Sequence, residues 1–237
     1  MKGHNTKMNK NIIKAAWVKS IPVMTGYIPL GIGFGILLEK NGYGVWWSLA
    51  MGLFIFAGSM QYVGVGLLAS GASFLTTALT TLMVNARHLF YGISMADKYK
   101  GAGKKKPYLI FALTDETYSL VVSDDGPDKE NLYMFWFLIS LFNQIYWVVG
   151  NVIGSLLGSV IPFRTDGIEF VMTALFVTVV VEQWENTKNH FPALTGFVVS
   201  LACLLLFGPD QFLIPSMILI TLVLTLGRNA AEKKEEE

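Results

Sequence analysis

Two adjacent acids, Asp115 and Glu116, stand with eight uncharged residues before them and seven after. At bilayer depth a carboxylate costs about 2.5–3.5 kcal/mol to insert, so it needs a partner or a function. Side by side in low dielectric the two repel, an arrangement suited to carrying a proton or anchoring an ammonium group. Thr114 and Asp115 also have the residue types that cap a new helix start. Both roles coexist where a broken helix builds a binding site. Arg87 and His88 stand near the end of an earlier apolar run. Arg87 either reaches along its stem to the interface or pairs with Asp115 or Glu116 and fixes the carboxylate that keeps its charge. His88 has no second His or Cys at ligand spacing, so it is read as interfacial and no metal site is expected.

Backbone and amide groups form a second set. Pro29 removes a donor, and Gly31, Gly33 and Gly35 weaken the helix after it. Amides freed in this way are tolerated at membrane depth only where protein or a watery cavity satisfies them. They suit a carboxylate; small residues that let two helices pack closely give the same pattern. Gln61, Asn85, Asn143 and Gln144 lie in apolar runs. Each can bond to a ligand or across helices, and interhelical bonding is the commoner role.

The elements that must position these groups are helices in a membrane. No Asp, Glu, Lys or Arg occurs from Asn41 to Ala86, from Asn131 to Phe163, from Phe191 to Pro209 or from Gln211 to Gly227. A soluble helix of that length would need a charged face, and a span needs roughly 20 apolar residues. The runs do not alternate as barrel strands would. The expected fold is all-α, a polytopic bundle of about 7–8 spans with broken helices and an inverted 3+3 repeat. Residues 1–20 read as a polar and amphipathic tail, 21–227 as one transport domain, and 228–237 as a charged tail. The early segments are read as one (Ile21 to Leu38), two (Val45 to Ala69), three (Ala72 to Met95) and four (Pro107 to Val122), with segment six from Ile168 to Trp184; interruptions are expected in segments one and four, each broken or re-entrant. The repeats would be 21–96 and 107–184, each opening on an interrupted segment, followed by two C-terminal spans. Glu182 reads as interfacial.

Charge placement gives a conflict over orientation. The positive-inside rule puts the loop Lys98 to Lys106 in the cytoplasm and the acidic loop Asp124 to Glu130 outside. Three full crossings upstream then place the N-terminus outside, although it carries Lys2, Lys7, Lys10, Lys14 and Lys19. Both basic regions can be cytoplasmic only if one early segment fails to cross. The cations sit in tails and loops without interleaved aromatics, so no nucleic-acid partner is expected. Cys203 is the sole cysteine, which excludes an intrachain disulfide. No Walker A, Gly-x-Ser-x-Gly or His-Glu-x-x-His pattern is present, so neither an enzyme nor a bound cofactor is expected.

Four motifs occur in order: Pro29-Leu-Gly-Ile-Gly-Phe-Gly35, Phe56-Ala-Gly-Ser-Met-Gln61, Asn85-Ala-Arg-His-Leu-Phe-Tyr-Gly92 and Thr114-Asp-Glu-Thr117. The set resembles the AzlC/YgaZ family of branched-chain amino acid exporters, from about Ile21 to the last segment. The resemblance implies export of leucine, isoleucine or valine across the cytoplasmic membrane of a bacterial cell. It also implies a small membrane partner of the AzlD/YgaH type. On that reading Asp115 or Glu116, with Thr114, holds the ammonium. Backbone amides at Gly31, Gly33 and Gly35, or at Gly58 and Ser59, take the carboxylate. Phe34, Phe56 and Tyr62 wall an oily pocket, and export runs on proton exchange through the two acids. The rival readings are a membrane scaffold subunit for the small partner and a channel for another solute. Exposed apolar faces would suit lipid, a second copy of the chain or the small subunit.

Overall fold

The computed structural model describes residues 10–122, 126, 131–160, 189–208 and 212–232, with isolated residues between 170 and 185. Among the described residues there is helix and no strand. The chain groups into two units, residues 1–171 and 172–237. The first holds every residue singled out above except Cys203 and Glu182. The expected sixth segment lies largely outside the described residues. So do Lys2, Lys7, Glu182, the acids Asp124, Asp125, Asp128 and Glu130, and the last five residues, 233–237.

Helix α1 spans Lys10–Lys40, 31 residues with Pro22 and Pro29 inside it. Segment one is therefore not interrupted, and the expected amphipathic tail from Asn11 to Ser20 is its first third. The reason lies in its partner. Helix α8, Leu132–Val160, packs along α1 over most of its length. A Cβ on Gly31 would lie 3.0 Å from the Trp147 carbonyl, and one on Gly150 2.8 Å from that of Ile28. Gly35 and Gly154 are closer still, against the carbonyls of Asn151 and Ile32, and Gly158 meets Ile36 and Glu39. Residue numbers rise together on both helices, so the pair is parallel. Glycines spaced by four put bare backbone on one face of each helix, which lets the two approach closely without unwinding.

Segment two contains two helices, α2 (Val45–Phe54) and α3 (Gly58–Ala69). Helix α2 runs down α8: Ser48 donates to the Asn151 carbonyl at 2.9 Å, and the Gln144 amide reaches Leu53 O at 3.1 Å. The chain turns at Phe56, whose φ of 41° is the one positive value at a non-glycine among the described residues. Helix α3 then climbs back. Phe56 lies against Tyr27 of α1, Tyr62 against Phe34, and Gly64 faces Met51 of α2. Segment two is thus a re-entrant hairpin, where the sequence suggested a span; apolar length alone cannot distinguish crossing from returning.

Helices α4 (Phe74–Val84) and α5 (Ala86–Ala96) meet at Asn85, a break in segment three that the sequence did not suggest. Ser73 caps α4 by accepting from the Thr76 amide at 3.1 Å. The two helices cross the full depth, because Met95 packs with Ile12, at the start of α1, in one buried cluster. That cluster also holds Tyr99, Ala102, Leu109, Val121, Phe135 and Trp136. Helices α6 (Lys106–Phe111) and α7 (Asp115–Val122) both return to it, and Lys98 donates to the Val122 carbonyl. Segment four is therefore a second re-entrant hairpin, entering from the end opposite the first.

This arrangement removes the conflict over orientation. The start of α1, with Lys14 and Lys19, and the basic loop Lys98 to Lys106 share one end of the first unit. An early segment does fail to cross: it is segment two. Gly126 packs on Leu132 and Phe135 at that same end; the acids on either side of it lie outside the described residues. The repeat loses part of its basis, since only segment four of the two opening segments is interrupted. Large apolar side chains such as Trp46, Phe74 and Phe90 are exposed on α2, α4 and α5, a surface that suits hydrocarbon. In the second unit α9 (Phe191–Phe207) and α10 (Leu213–Glu232) pack together, with Phe191 against Gly227.

Gly154→Ala puts a methyl group into the α1 backbone and should lower stability by about 1–3 kcal/mol. Gly66→Ala, which has open space around it, should melt as wild type in detergent; equal melting of both variants would contradict the close contact. In a Cys203→Ser background, Ser70→Cys should label from the same side as Asn41→Cys in oriented vesicles, because a hairpin returns to the side it enters from. Labelling of the two from opposite sides would mean that segment two crosses.

Candidate functional site

Three helices begin at mid-depth in the first unit: α3 at Gly58, α5 at Ala86 and α7 at Asp115. A helix start exposes amides with no partner in their own helix and carries partial positive charge. Each start here is fitted with polar side chains. Thr114 caps α7, its hydroxyl accepting from the Thr117 amide at 3.3 Å. The capping role read from the sequence and the clustering of acids thus occur together. Asp115 and Glu116 occupy the first turn of α7, where negative charge is favoured.

Arg87 is the second residue of α5. It does not reach for the interface: its guanidinium pairs with Asp115 through Nη1 and donates to Ser59 Oγ through Nη2 at 2.9 Å. The ion pair joins the broken crossing to the hairpin of segment four, the inner hairpin, and the serine bond joins it to that of segment two, the outer one. Glu116 takes a different partner, accepting from the Tyr27 hydroxyl at 2.5 Å. Tyr27 Oη also lies 2.8 Å from Thr114 Oγ1, Thr114 donates to Thr117 at 3.1 Å, and Asn143 Nδ2 donates to Thr117 at 3.0 Å. The two acids, set side by side by sequence, are therefore held by different elements. His88 turns its Nδ1 to within 3.2 Å of the Asn85 carbonyl and stacks edge-on against Tyr91.

Beside this polar chain lies an aromatic cluster. Trp147 of α8 packs on Tyr27 and Phe34, and Phe34 packs on Tyr62. Phe56 at the tip of the outer hairpin touches Phe111 at the tip of the inner one, 6.4 Å between centroids. Phe34, Phe56 and Tyr62 thus share one cluster, and all three are buried. Two open grooves, of about 620 and 360 Å³, lie at the start of α1 and contain none of the predicted site residues.

Of the predicted residues, Thr114, Asp115, Glu116, Arg87, Ser59, Gly58, Gln61, Asn85, Asn143 and Phe56 lie at or beside the three helix starts. Gly31 and Gly35 do not: they are within continuous α1 and face the α8 backbone. Gly33 is in the same unbroken helix. Their amides are internal to the helix, so no carboxylate cradle forms there. Gln144 is structural, bonding to the last carbonyls of α2 and accepting from Tyr108 at 2.7 Å. Gln61 accepts from the Trp147 indole at 2.8 Å, and Tyr62 donates to the Leu30 carbonyl at 2.6 Å. Sequence reasoning missed Tyr27 and Trp147. A tyrosine and a tryptophan within apolar spans are ordinary, and only the turn of the chain at Thr114 brings Tyr27 to an acid.

The AzlC protein family matches residues 22–161, which include both hairpins and the ion pair. A branched-chain amino acid transport protein, AzlC, of Bacillus subtilis is 44% identical over 236 residues, covering 98% of this chain and 93% of its own. A membrane protein of Helicobacter pylori is 41% identical, covering 92% of this chain and 96% of its own. The inner membrane protein YgaZ of Escherichia coli is 28% identical over 211 residues, covering 86% and 84%. No solved structure matches. With its helical spans, its apolar outer surface and these relatives, the chain is a multi-pass cell-membrane protein that belongs to the AzlC family.

Proposed function

We propose that this protein exports branched-chain amino acids across the cell membrane by alternating access, with protons exchanged through Asp115 and Glu116. The observation that carries the reading is the meeting of two re-entrant hairpins, one from each end, at an ion pair and a second acid at mid-depth. Ionisable groups at that depth mark substrate or ion pathways, and discontinuous helices whose starts face the site are the recurring plan of secondary transporters. The transport name of the Bacillus subtilis relative supports the substrate class. Each hairpin can gate access from its own side while α1 and α8 stay packed. The end bearing Lys14, Lys19 and the loop Lys98 to Lys106 faces the cytoplasm by the positive-inside rule. A small subunit of the AzlD/YgaH type completes the transporter, seated on the apolar outer surface.

The test is efflux from cells loaded with a leucine-containing dipeptide, with and without the small subunit. Saturable leucine efflux that needs the subunit is expected, with a fall of about tenfold or more in Asp115→Asn and Glu116→Gln. Efflux that keeps its full pH dependence in Asp115→Asn would remove the coupling role. Efflux unchanged in every strain would return the protein to the scaffold reading.

A further inference from the structure

Buried polar atoms without partners gather around the ion pair. On the side of the outer hairpin, Arg87 bonds through Nη1 and Nη2, while its Nε is buried with no acceptor. Ser59, its partner, is in the first turn of α3. The amides of Gly58, Ser59 and Met60 precede the first bond of that helix, Gln61 N to Ala57 O at 2.8 Å. The Gln61 side chain in the same turn is fully buried, and its Nε2 also has no acceptor. Orphaned groups of both kinds are thus buried on the elements that meet at the ion pair: Arg87 Nε and Gln61 Nε2 have no acceptor, and Asn85 Oδ1 and Asn143 Oδ1 have no donor. Buried polar groups of native proteins are normally paired, so orphans of both kinds point to a ligand that carries both acceptors and donors. On the side of the inner hairpin the chemistry is reversed, with the carboxylates of Asp115 and Glu116 in one turn. The ion pair between the two regions is not sealed: its side chains keep 29% and 26% exposure.

We propose that the Arg87–Asp115 pair holds the place of an α-amino acid zwitterion. The ligand's carboxylate takes Arg87, with Ser59 and the first amides of α3, and its ammonium takes Asp115. The exchange keeps every charge paired, because one internal ion pair becomes two with the ligand and the net charge of the site is unchanged. A ligand with only one of the two groups leaves Arg87 or Asp115 without its counter-charge, a state penalised at low dielectric. Selection for an α-amino acid, as opposed to an amine or an acid of equal apolar size, follows from the pair itself. This inference rests on the transport reading for its substrate class, but it concerns binding and does not require export.

The experiment measures ligand-induced thermal stabilisation of the purified protein with three probes: leucine, 4-methylpentanoate and 3-methylbutylamine. Wild type should bind leucine at least about tenfold more tightly than either analogue. Arg87→Gln should lose leucine affinity and gain affinity for the amine, since Asp115 is then without its arginine. Asp115→Asn should do the reverse and gain affinity for 4-methylpentanoate. A purely structural pair would weaken all three probes alike in both variants, and that outcome overturns the proposal. Should the single variants fail to fold, Arg87→Gln/Asp115→Asn removes both charges together and is expected to fold without binding leucine. Leucine binding by that double variant at wild-type affinity overturns the proposal too, as does wild type that binds none of the probes. Efflux is not part of the readout: export can fail while the crossed pattern appears, and the pattern can be absent from a working exporter.

Discussion

The contact between α1 and α8 is the constraint from which the other elements of the first unit take their positions. Helices in lipid gain nothing from hiding apolar surface from one another, so close association depends on packing and on hydrogen bonds. Gly31 and Gly35 on one helix, with Gly150, Gly154 and Gly158 on the other, bring the two backbones together. Side chains of α8 then reach outward to everything else. Gln144 holds the end of α2, Asn143 holds Thr117 of α7, and Trp147 bonds to Gln61 of α3. Ser20 and Tyr146 tie α1 and α8 near their shared start, 3.1 Å apart. A parallel pair fastened in this way is a rigid post against which two hairpins can lean.

Ending a helix at mid-depth exposes carbonyls or amides that lipid cannot satisfy. The carbonyls at the end of α2 meet the Gln144 amide, and the start of α7 meets Thr114. The start of α3 is different: Arg87 bonds to Ser59 in its first turn, and two buried nitrogens, Arg87 Nε and Gln61 Nε2, have no acceptor. Phe56, at the tip just before it, adopts the left-handed backbone region, which is unfavourable for a bulky side chain and persists only where the surroundings impose it. Unmet donors and backbone strain thus coincide at one place, the meeting of the hairpins.

The membrane class and the all-helical fold were legible in the sequence. Charge-free runs and stranded acids report directly on solvent, because hydrocarbon penalises each charge residue by residue. The capping role of Thr114 was also legible, being a local bond. The glycine run after Pro29 was ambiguous, since glycine permits both a break and a close approach. The break was the wrong choice for α1 because α8 supplies a partner with matching glycines more than a hundred residues away.

Only the tertiary structure decided which apolar segments cross and which return, and therefore which charges meet. An apolar stretch of given length is equally stable as a span or as a folded-back hairpin, provided its turn is satisfied by neighbours, and those neighbours are remote in sequence. Arg87 and Asp115 have the types to pair, but Ser59 joins them only because segment two turns at Phe56. Tyr27 joins Glu116 only because segment four turns at Thr114. Sequence by itself determined the solvent and the inventory of polar groups, through local costs that each residue carries with it. Their arrangement depended on long-range packing, in which the value of each polar contact is set by what the rest of the chain places beside it.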